Sequence, residues 1–332
     1  MRSYKGGDDV SQISDNPFKY SDTNKRYYTY DYYLRQKFGF KCAKITLDGG
    51  FTCPNIDGTR GVGGCIYCSG GSRSRGCDAL LPLSEQYESQ KASVLKKWDV
   101  GGYIPYLQSY TNSYTSPENF EKILREIAEL DGAVMINIAT RADCLENEKI
   151  EILKKISKTI PVTVELGLQS SDDNTARIIN RCHTYAEFID CFGRLRKYAP
   201  NVKIAVHIID GLPHESREHM LRTARDIAAL HPDIVKIHLL HVMRDTPLAK
   251  MYTDGKYTPL SKEEYVDIVC DQLELLPPDT VIERLTGDGM RDSLLAPLWS
   301  LKKVSVINDI DKLMYARSSY QGRLFTDSHS DK

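Results

Sequence analysis

The sequence predicts an α/β fold built on a parallel sheet, and three observations carry that prediction. Six short apolar runs, from CAKITL at 42–47 to IVKIHLL at 234–240, alternate with amphipathic stretches of helical length. The third run, AVMINIA at 133–139, is apolar at almost every position, as expected of a parallel strand covered on both faces. A cysteine- and glycine-rich loop follows the first run directly, and barrel folds carry their chemistry on loops that leave strand C-terminal ends. At 332 residues the chain has room for two average domains or one α/β barrel.

Residues 1–22 are polar without a sustained period and are expected to form a flexible N-terminal tail. RYYTYDYYLRQKFGF, from Arg26 to Phe40, puts aromatics on more than one helical face. It suits either a tyrosine-rich helix packed on the sheet or a base-stacking surface. A helix is expected over 83–97, a second strand over 103–108 (YIPYLQ) despite its proline, and a helix over 117–130 capped by Ser116 or Thr115. The alternation continues through helix 147–157, strand 161–167 (PVTVELG), a helix-like DDNTARIIN, strand 202–209 (VKIAVHII), helix 216–229 and strand 234–240. Helix 261–276 is stopped by Pro277 and Pro278. From Val281 the pattern loosens, so residues 281–325 read as a C-terminal extension packed on a barrel unit of 23–280, with 326–332 as a tail.

The loop GGFTCPNIDGTRGVGGCIYCSGG, opening at Gly49, holds Cys53, Cys65 and Cys68, with eleven residues between the first two and two between the last pair. A CxxC pair lets two thiolates turn toward one centre, and the glycines let the backbone curl closely around it. Three thiolates suit a [4Fe-4S] cluster with one iron open to a small molecule. A closed zinc site would instead recruit a fourth ligand, Cys77 or a distant histidine. Glu165 stands in an otherwise apolar strand, a costly position unless a ribose diol, a lysine or an arginine answers it. His207 is either a satisfied core residue or a ligand-facing one. Cys144, Cys182 and Cys191 read as packing thiols.

CPNIDGTRGVGGCIYC resembles the cluster loop of radical S-adenosylmethionine (SAM) enzymes of the YhcC/YtqA (MnmL) type, a family related to the catalytic subunit of Elongator. QSYTNSY (108–114) resembles the family's QAYTNTY, and TRADCL (140–145) its TRPDCL with Ala142 replacing the proline. ELGLQS, RLTGD and the closing QGR also match, while DGLPHE carries His214 where the family has GLPGE. The resemblance covers the chain from about Arg26 to Arg323 and narrows the fold to an open, partial (β/α)6 TIM-like barrel. It implies a [4Fe-4S] cluster on Cys53, Cys65 and Cys68, with SAM on the open iron and reductive cleavage of SAM to methionine and a 5'-deoxyadenosyl radical. It puts Tyr67 beside the adenine, and Gln108, Ser109, Thr111 and Asn112 about the SAM amino group. Glu165 would meet the ribose and His207 the adenosine, with Thr140 and Gln169 completing the cofactor-binding set. Arg181 would grip the SAM carboxylate, with Arg177 as its rival one turn earlier. His241 and Arg244 would face substrate.

With 41% hydrophobic and 27% charged residues, no apolar run near membrane-spanning length and no apolar core at the N-terminus, the chain is expected to be cytoplasmic and free of the membrane. Nine cysteines then read as cluster ligands plus buried thiols. A net charge of -1 argues against a generally basic coat but leaves room for a local basic face. The kinship with Elongator implies work on the wobble-uridine side chain of tRNA, a carboxymethylaminomethyl to aminomethyl type of step. Arg73, Arg75, Arg194, Arg196, Lys197, Lys302 and Lys303 are candidates for a phosphate path. A flavodoxin or ferredoxin-type electron donor and a downstream methyltransferase are the implied partners. The alternative is a radical SAM oxidoreductase acting on a small metabolite or a protein residue.

Overall fold

The computed structural model describes residues 16–68, 77–287 and 289–327. Every expected strand is present: β1 (Cys42–Leu47), β2 (Gly102–Leu107), β3 (Ile136–Thr140), β4 (Val162–Gln169), β5 (Lys203–Asp210) and β6 (Ile234–Leu239). Beyond them lie β7 (Val242–Met243), β8 (Val281–Arg284) and β9 (Leu294–Ala296). Strands β1 to β6 pair in parallel in chain order, and β8 adds in parallel to the β6 edge, giving a curled half-barrel of seven strands. The six-strand expectation missed β8 because VIER is four residues long and half charged, so it offers no apolar run. β7 and β9 form a separate antiparallel pair.

The helices are α1 (Tyr30–Phe38), α2 (Leu83–Leu95), α3 (Pro117–Ala128), α4 (Asn147–Ile156), α5 (Asp173–Ile178), α6 (Tyr185–Tyr198), α7 (Arg217–Ala228), α8 (Pro247–Thr253), α9 (Lys262–Leu275) and α10 (Lys303–Ala316). Their starts follow side-chain chemistry. Ser116, not Thr115, caps α3 by accepting from the Asn119 N–H, and Thr184–Glu187 and Ser261–Glu264 form reciprocal capping boxes at α6 and α9. Pro105 is accommodated in β2 because the β2–β3 ladder is short, running only from Tyr106 opposite Asn137 to Leu107 opposite Ile138.

Helix α1 settles the tyrosine-rich segment as packing. Tyr30 and Tyr33 lie against Ile104 and Met135 on one side and against Ala205, Ile234 and Val281 on the other, so the helix closes the end of the half-barrel where the strands begin. The segment before it is anchored too: Phe18 is buried and Tyr20 stacks on Tyr28 at 4.8 Å, while residues 1–15 of the expected tail lie outside the described residues. Toward the other end of the described residues, Gln321 donates to the carbonyls of Pro277 (2.6 Å) and Thr280 (2.7 Å) and accepts from the Tyr28 N–H, tying the segments around Tyr28 and Gln321 to the β8 edge. Among the described residues no helix is long and apolar enough to cross a membrane.

Candidate active site

Each of the seven strands of the half-barrel contributes polar side chains to the lining of a cavity of about 430 Å³. Glu165 on β4 is completely buried and fully committed. Its Oε1 accepts from Lys44 Nζ (2.8 Å) and Asn137 Nδ2 (2.7 Å), and its Oε2 from His207 Nε2 (3.0 Å) and from Lys236. Glu283 on β8 bridges the same two lysines, at 2.8 Å from Lys236. Two ammoniums and two carboxylates therefore cancel inside the barrel, which is what makes their burial tolerable. The Tyr106 ring lies between them, 4.5 Å from Lys44 Nζ and 4.7 Å from Lys236 Nζ.

The network sets protonation. Burial alone would raise the Glu165 carboxyl, but Lys236, Lys44 and His207 outweigh it and hold the group well below the usual carboxylate range. Burial pulls Lys236 down against its two carboxylates, whereas in Lys44 the carboxylates win and the ammonium is raised. Burial, with the charges of Lys303 and Arg284, lowers His241 to about 4, and burial next to His207 and Arg284 keeps His238 well below 6.5. Both imidazoles are neutral at physiological pH.

Beyond this network the cavity wall contains Cys53, Cys65, Cys68, Tyr67, Gln108, Thr111, Thr140, Gln169 and Arg181, so the structure brings most of the predicted set into one chamber. Of the two rival arginines, Arg181 lines the cavity and Arg177 does not. Arg181 is buried, donates through Nη2 to the Gly167 carbonyl at 2.6 Å and keeps a buried Nε with no partner among the described residues. Arg177 is exposed and bonds Asn174 on its own helix. A Cβ at Gly167 would stand 2.7 Å from Gln169 Nε2 and 2.9 Å from Arg181 Nη2, so any larger residue would displace the ends of both side chains.

Three predicted residues are not brought to the cavity wall. Ser109 and Asn112 are buried away from its wall, and Asn112 spends its amide donors on the carbonyls of Leu107 (3.1 Å) and Ala139 (2.8 Å), where it fastens the ends of β2 and β3. Arg244 is exposed and off the wall, whereas His241 is on it. Glu165 meets Lys44 and Lys236, the pairing option, and His207 is both satisfied by Glu165 and part of the cavity lining. Cys77 donates to the Thr46 carbonyl at 2.9 Å, off the cavity wall, and so does not join the other three sulfurs. Cys144 and Cys191 are buried, and burial pushes each thiol up to about 12, as inert packing thiols should be.

Sequence reasoning missed Lys44, Lys236, Tyr106, His238, Glu283 and Arg284, all on the wall. A signal was available for Lys44 and Lys236: each interrupts an apolar strand run, the same argument that singled out Glu165. Arg141 was also passed over. Its guanidinium holds Asp143 by two bonds (2.9 and 2.8 Å) and the Arg181 carbonyl at 2.9 Å, bracing the loop after β3 against the Arg181 backbone.

Two family models match the chain: the Radical SAM superfamily over residues 56–227 and the Radical_SAM C-terminal domain over 232–316. The chain belongs to the radical SAM superfamily. The uncharacterized protein YtqA of Bacillus subtilis is 41% identical over 314 residues, covering 94% of this chain and 97% of that protein. A tRNA uridine(34) acetyltransferase of Dehalococcoides mccartyi is 28% identical over 184 residues, 52% of this chain and 39% of that protein. The structure of the archaeal Methanocaldococcus infernus Elp3 superposes with a TM-score of 0.63 at 18% identity over 84% of this chain and 64% of that one, a likeness of fold.

A radical SAM enzyme uses a [4Fe-4S] cluster and SAM, and the donor set here fits both. Cys53, Cys65 and Cys68 supply three soft ligands to one chamber, and Arg181, Gln108 and Thr111 supply polar groups beside them. When bound, the pair supplies a carbon-centred radical from SAM. The chain contributes orientation: Arg181 offers a forked donor to a carboxylate, Tyr67 lays an aromatic wall next to Cys65, and the barrel walls exclude water. His214 stands in the left-handed region (φ 66°), which explains why the family usually has glycine there.

Proposed function

We propose that this radical SAM enzyme modifies the side chain of a wobble uridine in tRNA, converting a carboxymethylaminomethyl-type substituent to an aminomethyl type: the bond from nitrogen to the carboxymethyl carbon breaks with uptake of water, the two-carbon piece leaves as glyoxylate, and SAM takes up the two electrons as it is cleaved to methionine and 5'-deoxyadenosine. The observation that carries the reading is the match of about half the chain to a tRNA uridine(34) acetyltransferase. The site agrees with it chemically: the floor network fixes a cluster of charges beneath a chamber of about 430 Å³, a setting suited to a polar substituent reaching down from a base held above. Of the basic residues on the expected phosphate path, Lys303 lies near His241 at the cavity wall. Arg194 and Arg196 are instead paired with Asp190 and Asp233, the latter at the strand-start end away from the cysteines, and Arg73 and Arg75 lie outside the described residues. Reducing equivalents come from a flavodoxin or ferredoxin-type donor, and an aminomethyl product is a fit substrate for a methyltransferase acting next.

The test is a comparison of modified nucleosides in tRNA from cells with and without the gene. Accumulation of the carboxymethyl-bearing nucleoside at the wobble position in the deleted strain is expected. An unchanged wobble-uridine profile would overturn the reading and favour a small metabolite or a protein residue as substrate.

A further inference from the structure

Eleven residues separate Cys53 from Cys65, and this excursion folds back on its own start. The Pro54 carbonyl accepts from the Arg60 and Gly61 N–H groups (2.8 and 3.2 Å), and the Asn55 carbonyl accepts from the Gly64 N–H at 2.8 Å. Asn55, just past the first cysteine, is thereby held against the second. Its side chain is completely buried and donates through Nδ2 to Cys65 Sγ at 3.6 Å, a normal reach to an atom as large as sulfur, and to the Asn180 carbonyl. The second contact fixes which way the amide points, because turning it over would set Oδ1 against a carbonyl oxygen. Gly61 gives the amide its place: a Cβ there would stand 2.2 Å from Asn55 Oδ1. Asn180 in turn donates to the carbonyls of Val62 (3.1 Å) and Gly64 (2.8 Å), closing the clamp on the cysteine loop.

Asn55 behaves unlike a packing residue. Its Oδ1 is buried with no partner among the described residues, a cost that an apolar side chain of the same shape would avoid. It also stands off the cavity wall and so reaches the chamber only through Cys65. Tyr67 shares a hydrogen bond with Cys65 too, but it lines the chamber itself. We propose that Asn55 is a positioning residue whose side-chain N–H tunes the cluster through Cys65, favouring the reduced form. Reduction adds one electron to the cluster and breaks no bond, and part of the added negative charge falls on the thiolate sulfurs. An N–H aimed at such a sulfur in a buried site stabilises that charge more than it stabilises the oxidised form, so it raises the reduction potential. The bond acts on electron uptake, whatever substrate the enzyme takes.

The test uses full-length protein reconstituted anaerobically, without SAM and without RNA. Native protein is labelled with the heavy nitrogen isotope only in its asparagine side-chain amides, and the reduced cluster is read by electron spin echo envelope modulation. The cluster's midpoint potential is titrated in native and Asn55→Leu protein. A coupling to labelled nitrogen is expected in the native protein and should vanish in Asn55→Leu. The midpoint of that variant should fall by about 59 mV, a tenfold shift in the one-electron equilibrium, at unchanged iron content. A native cluster without the coupling overturns the proposal, and so does an Asn55→Leu protein that keeps its iron and shows a midpoint equal to or above the native one. Should Asn55→Leu fail to fold or to take up iron, the native coupling decides alone, its presence supporting the proposal and its absence overturning it. A native protein that forms no cluster overturns the proposal together with the ligand assignment, whereas an unchanged tRNA profile in the deleted strain removes only the wobble-uridine reading.

Discussion

At the residue scale, burial separates the working cysteines from the rest. Cys65 sits on the cavity wall beside Cys53 and Cys68, whereas Cys191 is enclosed by the apolar core with its thiol pushed up to about 12. Cys65→Ala is expected to lose iron and SAM cleavage together, while Cys191→Ala keeps both, as read by iron content and 5'-deoxyadenosine release. The charged floor makes a second prediction. Lys236→Met leaves Glu165 and Glu283 with Lys44 as their sole lysine partner, and breaking a buried pair from one side costs about 3–5 kcal/mol. Lys236→Met combined with Glu283→Gln removes one charge of each sign and should cost less than the sum of the single changes in denaturant unfolding. Strict additivity would contradict a coupled network. Much of this residue-level detail was legible: the three cysteines and the polar demand at Glu165 follow from type and spacing, and Arg181 came from the resemblance, which left Arg177 as its rival. The partners of Glu165 were not legible, because Lys44 and Lys236 are 121 and 71 positions from it and only sheet pairing brings them together.

At the element scale, β5 ends on Asp210, a fully enclosed carboxyl whose Oδ1 accepts from Gln272 of α9 at 2.7 Å. Burial raises it from 3.8 to about 7, with Glu215 adding to the shift against the Gln272 bond. The folded state therefore keeps a proton that the unfolded chain releases near pH 4. That contribution to stability is complete below the unfolded value and is lost as pH rises toward and through about 7. Unfolding midpoints measured from pH 5 to 8 should fall for the native chain relative to Asp210→Asn, and parallel curves would refute the shift. Helix α1 gives another test. Leu34 is buried against Ile104 and Met135, so Leu34→Ala should cost about 2–5 kcal/mol by opening the closed end of the barrel. Element type and order were readable from periodicity wherever a run was long and apolar. β8 was not, because Glu283 and Arg284 make half of its four residues charged.

At the scale of the whole molecule, an open half-barrel must manage two edges and an open end. Helix α1 fills the strand-start end, Gln321 locks the Tyr28 segment to the turn before β8, and β8 itself joins the sheet, so residues after Val281 take part in closing the barrel. Gln321→Ala strands the carbonyls of Pro277 and Thr280 and the Tyr28 N–H, and should cost about 1–3 kcal/mol in thermal or denaturant unfolding. Architecture, in this sense, was legible only through motif resemblance: the alternation implied a parallel sheet, but nothing in local pattern says whether such a sheet closes.

The central claim is that Cys53, Cys65 and Cys68 hold a cluster with one metal corner left for SAM. The most direct measurement is electron paramagnetic resonance of the anaerobically reconstituted, reduced protein, with iron and sulfide content, before and after SAM is added. About four irons per chain, a reduced-cluster signal that changes on adding SAM, and release of 5'-deoxyadenosine are expected. One tightly held zinc per chain, or a cluster signal indifferent to SAM, would contradict the account.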